Sequence, residues 1–185
     1  MNPLELIGTY YPVESDRYRI LTEHSRSVAD KALAIARAHP EMQLDLAFIE
    51  EAALLHDIGI FLCHAPAIGC YGQAEYICHG YLGAELVRAA GFPRHALVCE
   101  RHTGAGISVE MIEGQNLPLP RRDMQPQSPE EQLICFADKF FSKTKTDGEK
   151  PVARIRKGLA QYGQEGVIRF DGWCKLFLGM EHENE

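Results

Sequence analysis

An all-α domain is the fold class this sequence predicts, on three observations. Apolar residues return every three or four positions over most of the chain, no stretch alternates apolar with polar residues as a half-buried strand does, and no segment repeats another. With 185 residues, 45% of them hydrophobic and 24% charged, the chain has enough apolar surface for one core. A chain of this length buries roughly 70% of its unfolded surface on folding. The expectation is a single-domain bundle of about seven helices packed round one centre.

The first helix is read from Arg19 to Ala38, where Leu21, Val28, Ala32 and Ile35 share a face and Arg26, Asp30, Lys31 and Arg37 fall between them, with Pro40 as the stop. A second runs from about Asp45 to Ile58, turning Phe48, Ile49, Ala52, Ala53 and Leu55 inward, with Gly59 placed as a left-handed cap. Residues 63–78 have no period and contain Pro66, Gly69 and Gly72, which predicts a long loop lying over a site. Helices follow at about 79–90, closed by Gly91, and at 93–102, with Pro93 in its first turn and Gly104 at its exit.

A short helix starting at Ser108 leads into an irregular, solvent-facing segment, LPLPRRDMQPQSP. Ser128, Pro129 and Glu131 then make a capping box with proline at the first helical position. Leu133, Phe136, Ala137, Phe140 and Phe141 form the apolar stripe behind it. After a break at 146–150 come two helices, about 151–162 and 165–178, and an acidic tail from Glu181 that frays.

The formal charge of −7, from 19 basic and 26 acidic residues, argues against an extended nucleic-acid surface and leaves room for a small anionic ligand held locally. Apolar runs such as Leu133 to Ala137 are far short of the ~18 residues that span a bilayer. The N-terminus, MNPLELIGTYYP, lacks the basic leader and cleavage site of a secretory signal. Six cysteines occur with no C-x-x-C pair, so the expectation is a cytoplasmic protein with free thiols.

The histidines carry the functional signal. His24 shares a face with Val28, Ala32 and Ile35, His56 with Ile49, Ala52 and Ala53, and His79 with Leu82 and Leu86. His102 lines up with Val98 and Cys99, and Asp138 lies three or four residues from Ile134 and Phe141. Five helices thus each aim an imidazole or a carboxylate inward. Burying such groups unpaired costs several kcal/mol each, against a total stability of ~5–15 kcal/mol, and a shared metal site removes that cost. Imidazole and carboxylate ligands suit divalent Fe, Mn, Zn, Co or Mg. The carboxylate of Asp57, next to His56, has two oxygens and can bridge two ions.

With His24, the doublet His56-Asp57 in LLHDIG, and Asp138 in ADKF, the chain resembles the HD-domain superfamily of metal-dependent phosphohydrolases in its HDIG form, over about residues 17–145. The resemblance implies an all-α HD-domain fold spanning 1–185, with the helices of 151–178 packed on the motif-bearing part. It implies that His24, His56, Asp57 and Asp138 hold a first metal ion. His79 and His102 look like the added pair of members that hold a second, bridged by Asp57. Asp57 and Asp138 are then the catalytic carboxylates, Asp138 also orienting the attacking water.

Small members with this six-ligand set include diadenosine tetraphosphate hydrolases, and oxygenases of the same superfamily use a similar set for two irons. Many HDIG members place lysine after the glycine; here that residue is Ile60. Candidates for binding the phosphate instead are Arg101, Lys139, Arg121 and Arg122. The reading is a hydrolase of a phosphate ester or anhydride, with a nucleotide or dinucleotide as small-molecule partner and a homodimer as a compatible assembly. A diiron oxygenase and a non-catalytic nucleotide-binding module are its alternatives.

Overall fold

The computed structural model describes residues 2–144 and 148–180. Nine α-helices occur among them: α1 (Pro3–Gly8), α2 (Asp16–Ala38), α3 (Leu46–Leu55), α4 (His79–Ala89), α5 (Pro93–Arg101), α6 (Val109–Gly114), α7 (Pro129–Asp138), α8 (Val152–Ala160) and α9 (Gln164–Leu178). The fold is all-α; the short helix expected from Ser108 is α6, and α1 is the helix the sequence reading does not contain. The break predicted at 146–150 falls partly, and the tail from Glu181 wholly, outside the described residues. No described helix is long and apolar enough to cross a membrane.

Caps set most helix boundaries. The side chains of Ser15, Asp45, Ser108 and Ser128 accept from backbone N–H groups in the first turns of α2, α3, α6 and α7. At α7 the return half of the capping box is displaced, since Glu131 accepts from the N–H of Gln127 and not from that of Ser128. Gly91 and Gly104, at φ of 90° and 62°, take the left-handed conformations that end α4 and α5.

Two apolar cores flank the centre of the molecule. One joins α2, α3, α7, α8 and α9 through Val28, Ile49, Leu133, Phe136, Phe170, Trp173 and Phe177. The other gathers Ile7, Tyr11, Leu21, Leu55, Ile58, Val87 and Cys99 from α1 to α5. All six cysteines are buried free thiols.

Two expectations about the middle of the chain are corrected. Gly59 is not a left-handed cap: the chain passes from α3 into a 3-10 turn, Ile58–Leu62, and the glycine is there for space. A Cβ on Gly59 would sit 2.3 Å from the carbonyl oxygen of His79 and 2.4 Å from the amide nitrogen of Gly83. Residues 63–78 are not a structureless loop either. They form a two-residue antiparallel hairpin, His64–Ala65 with Cys70–Tyr71, flanked by 3-10 turns. Strands this short leave no readable alternation in sequence.

Candidate metal centre

Helix ends converge on one point between the two cores. His56 caps the C-terminus of α3, His79 opens α4, His102 caps α5, and Asp138 is the last residue of α7. His24 arrives from inside the long α2. Chain reversal at the four ends turns side chains inward that a continuous helix would have spread round its axis.

Asp57 lies at the middle, fully buried. Its Oδ2 is 2.9 Å from His56 Nε2 and 3.2 Å from His24 Nε2. Its Oδ1 is 3.2 Å from His79 Nε2 and 3.3 Å from His102 Nε2. Asp138 Oδ1 is 3.0 Å from His24 Nε2 and 3.5 Å from His56 Nε2. The two oxygens of Asp57 thus face two different pairs of imidazoles.

Three of the rings are oriented by their own backbone. The Nδ1 atoms of His56, His79 and His102 lie 2.6, 2.6 and 2.7 Å from the carbonyl oxygens of Ala53, Tyr76 and Cys99. A carbonyl only accepts, so Nδ1 carries a proton and Nε2 is the nitrogen turned toward Asp57, the orientation that metal-ligating histidines adopt. Tyr76 also stacks on His79, with centroids 4.7 Å apart.

Burial opposes charge on Asp57 and Asp138, but neighbouring cations win. His56 and Lys143 hold the Asp57 carboxyl well below the usual range, and Lys139 with His24 and His56 does the same for Asp138. Burial also works against His56 as a cation; the two carboxylates outweigh it and raise its pKa to about 9. At His102 burial prevails over the attraction of the Asp57 carboxylate, and the pKa falls to about 4.

The residues present fit divalent cations. His56 Nε2 and both Asp57 oxygens are buried without a hydrogen-bond partner, since their short approaches lack hydrogen-bond geometry. Within two sets, His24, His56, Asp57 and Asp138, and Asp57, His79 and His102, the donor atoms all lie within 4.8 Å of one another. These nitrogen and oxygen donors are the chemistry of Zn, Mn or Fe, and no thiolate belongs to either set.

The four candidate phosphate binders divide. Lys139 lies in the site, its Nζ 2.8 Å from Asp138 Oδ2 and donating to the carbonyl of His102 at 3.1 Å. The other three turn elsewhere because carboxylates nearer to them claim their charge. Arg101 pairs with Glu131 at 2.9 Å, Arg122 pairs with the buried Glu100, and Arg121 is exposed, 4.0 Å from Glu113. His39 and His95 pair with Glu41 and Glu51, and His64 is exposed on the hairpin.

Sequence reasoning missed Lys143, whose Nζ is 2.7 Å from Asp57 Oδ2. It lies past the end of α7, where helical periodicity says nothing. It also missed the cavity beside the centre, about 640 Å³, lined by Tyr76, Asp138, Lys139, Lys143, Lys150 and Arg154 among others. Its signal was the run of Lys139, Lys143, Lys150 and Arg154 in a chain of net charge −7.

Comparison with known proteins agrees with this geometry. The model of the HD domain family matches residues 21–142. An uncharacterized protein of Methanocaldococcus jannaschii is 36% identical over 128 residues, 68% of this chain and 68% of that protein. The tRNA (cytidine(56)-2'-O)-methyltransferases of Thermoplasma volcanium and Picrophilus torridus are 33% and 32% identical over 87% and 66% of this chain. The chain spans only 44% and 32% of those two proteins.

Among solved structures, the HD domain of L. monocytogenes phosphodiesterase PgpH superposes with a TM-score of 0.54 at 17% identity, covering 97% of this chain and 88% of that one. The same domain in complex with cyclic-di-AMP gives 0.53 at 17% identity, covering 99% and 98%. At this identity the likeness is one of fold. The family match over residues 21–142, together with the identity to the M. jannaschii protein, places this chain in the HD domain family.

Proposed function

We propose that this chain is a metal-dependent phosphohydrolase that cleaves a phosphate ester or anhydride of a nucleotide or dinucleotide. The observation that carries the reading is the position of Asp57, buried, with each carboxylate oxygen 3.3 Å or less from a different pair of imidazole nitrogens. His24, His56, Asp57 and Asp138 would hold one divalent ion, and Asp57, His79 and His102 a second. Two such ions, when bound, supply a hydroxide near neutral pH and neutralise charge on the phosphoryl oxygens.

The protein's own groups prepare the site for that chemistry. Backbone carbonyls of Ala53, Tyr76 and Cys99 fix the tautomers of three ligands, so little reorganisation accompanies binding. Lys139 neutralises the outer oxygen of Asp138, leaving Oδ1 toward His24 and His56. Asp138, at the boundary between centre and cavity, is placed to accept a hydrogen bond from the attacking water.

A nucleotide is favoured by the cavity size, within the roughly 300–1,000 Å³ usual for small-molecule sites, by the ring of Tyr76 at its wall, and by the cyclic-di-AMP named for one protein of like fold. Methyl transfer is not carried over, since the shared part takes in less than half of either methyltransferase.

The test is metal analysis of the purified protein, then a screen for phosphate or nucleotide release with that metal supplied. Release that disappears in Asp57→Ala, with the variant folded, supports the reading, and release that survives refutes it. Turnover under argon separates hydrolysis from an oxygenase reaction, which would instead consume oxygen with iron bound.

A further inference from the structure

The cavity next to the centre has a charge pattern unlike the rest of the molecule. Lys139, Lys143, Lys150 and Arg154 line it, with Asp138 as the one carboxylate among its described lining residues. Many basic side chains elsewhere sit against acidic ones, among them Lys31 with Glu149, Arg94 with Asp45, Arg122 with Glu100 and Arg156 with Asp171. Lys139 and Lys143 are neutralised by Asp138 and Asp57. Lys150 and Arg154 have no carboxylate partner among the described residues.

Lys150 is held in place nonetheless, its Nζ donating to the carbonyl of Lys139 at 3.1 Å. Burial, together with the charges of Lys139, Lys143 and Arg154, pushes its pKa down against the pull of Asp138, as expected of a cation awaiting an anion. The exposed ring of Tyr162 also lines the cavity.

We infer that Lys150 and Arg154, backed by Lys143, form a second anion subsite that holds a phosphoryl group other than the one being cleaved. The substrate class is then a nucleotide carrying at least two phosphoryl groups, one at the His/Asp centre and another in this subsite. The inference deepens the phosphohydrolase reading and rests on it for the identity of the first position. Lys143, Lys150, Arg154 and Tyr162 all lie beyond residue 142, where the match to the family model ends. Two charge-assisted contacts, one from Lys150 held by the Lys139 carbonyl and one from the exposed Arg154, discriminate a diphosphate from a monophosphate.

The experiment is calorimetric titration of the metal-loaded protein with inorganic pyrophosphate and with orthophosphate at physiological ionic strength. Wild type binds pyrophosphate at least tenfold more tightly than orthophosphate, and in Lys150→Gln/Arg154→Gln that ratio falls to within about twofold. Lys175→Gln, a charge removed from an exposed position of α9, keeps the wild-type ratio. A wild type without the preference, or a double variant that retains it, overturns the subsite. The single variants, each expected to lose part of the ratio, serve if the double variant does not fold. Binding is read without turnover, so a protein that shows the preference but hydrolyses no ester supports the subsite and refutes the hydrolase reading. Ester hydrolysis without the preference does the reverse.

Discussion

Lys143 Nζ lies 2.7 Å from Oδ2 of Asp57, the oxygen that also faces His24 and His56. The carboxylate therefore serves as counter-charge for a lysine and as the midpoint of four imidazoles. Removing it leaves an ammonium with 15% side-chain exposure and several imidazoles without their anion, and loss of one partner from a buried pair costs about 3–5 kcal/mol. Asp57→Asn keeps the shape and removes the charge. Its expected result is loss of retained metal by elemental analysis and a fall in phosphate release of at least a hundredfold, with the helical circular dichroism preserved at low temperature.

The two ligand sets differ in what each variant should remove. His79→Ala and His102→Ala touch only the set that contains Asp57 Oδ1. Each should lower the metal content from two ions to one per chain. His24→Ala should deplete the other position. Equal loss of all metal from every variant would show that the centre binds its ions as one inseparable unit.

Stripped of metal, the protein should become less stable as pH rises from about 6.5 to 9. Burial disfavours the His56 cation, the carboxylates of Asp57 and Asp138 overcome it, and the folded-state pKa of about 9 lies above the ordinary value. A raised histidine pKa stabilises fully below the unfolded value of ~6.5 and ceases to do so above the folded one. Bound metal competes for the same lone pair and gains as the proton leaves. Thermal melts at pH 6.5 and pH 9 should show a falling Tm for chelator-treated protein and a flatter or rising one with metal.

Gly59→Ala should damage the centre without touching a ligand. The added methyl would lie 2.3 Å from the His79 carbonyl oxygen and 2.8 Å from Gly83 Cα, both backbone atoms of α4. The start of that helix must move, and His79 with it. Overpacking of this kind costs about 1–3 kcal/mol. The check is a urea midpoint shift together with weaker metal retention, and Gly114→Ala, at a site with open space around it and no positive φ, is the comparison that should leave metal retention intact.

Tyr11 ties the N-terminal segment to the turn that follows the His56-Asp57 doublet. Its buried hydroxyl donates to the carbonyl of Ile58 at 2.8 Å and accepts from the N–H of Phe61 at 3.1 Å. Tyr11→Phe leaves both groups unpaired away from water, a loss of about 1–3 kcal/mol. The expected outcome is a lower Tm and faster amide exchange at Phe61 with α7 unchanged; exchange unaltered at Phe61 would show the bond contributes nothing.

Helix positions were readable because each rests on neighbours in the chain. Ser108 and Ser128 cap α6 and α7 as their local pattern implies, and apolar spacing located α2, α3 and α9. The six candidate ligands were legible too, through the doublet and the cost of inward-facing polar groups, and the structure brings all six together. Helix α1 escaped notice because its six residues are too few to show a period. That Arg101 and Arg122 pair with Glu131 and Glu100 was not legible, because those partners are chosen by packing.

By itself the sequence determined most of the helices, several of their caps and the set of candidate ligands, since periodicity, capping and ligand chemistry act over a few residues and need no knowledge of distant contacts. Tertiary structure alone decided that Lys143 reaches Asp57, that Gly59 makes room for α4, and that Lys150 and Arg154 face the cavity without a carboxylate partner among the described residues. Coulomb energy and steric exclusion depend on distances through space, and residues 86 apart in sequence, as Asp57 and Lys143 are, become neighbours only once the helices have packed.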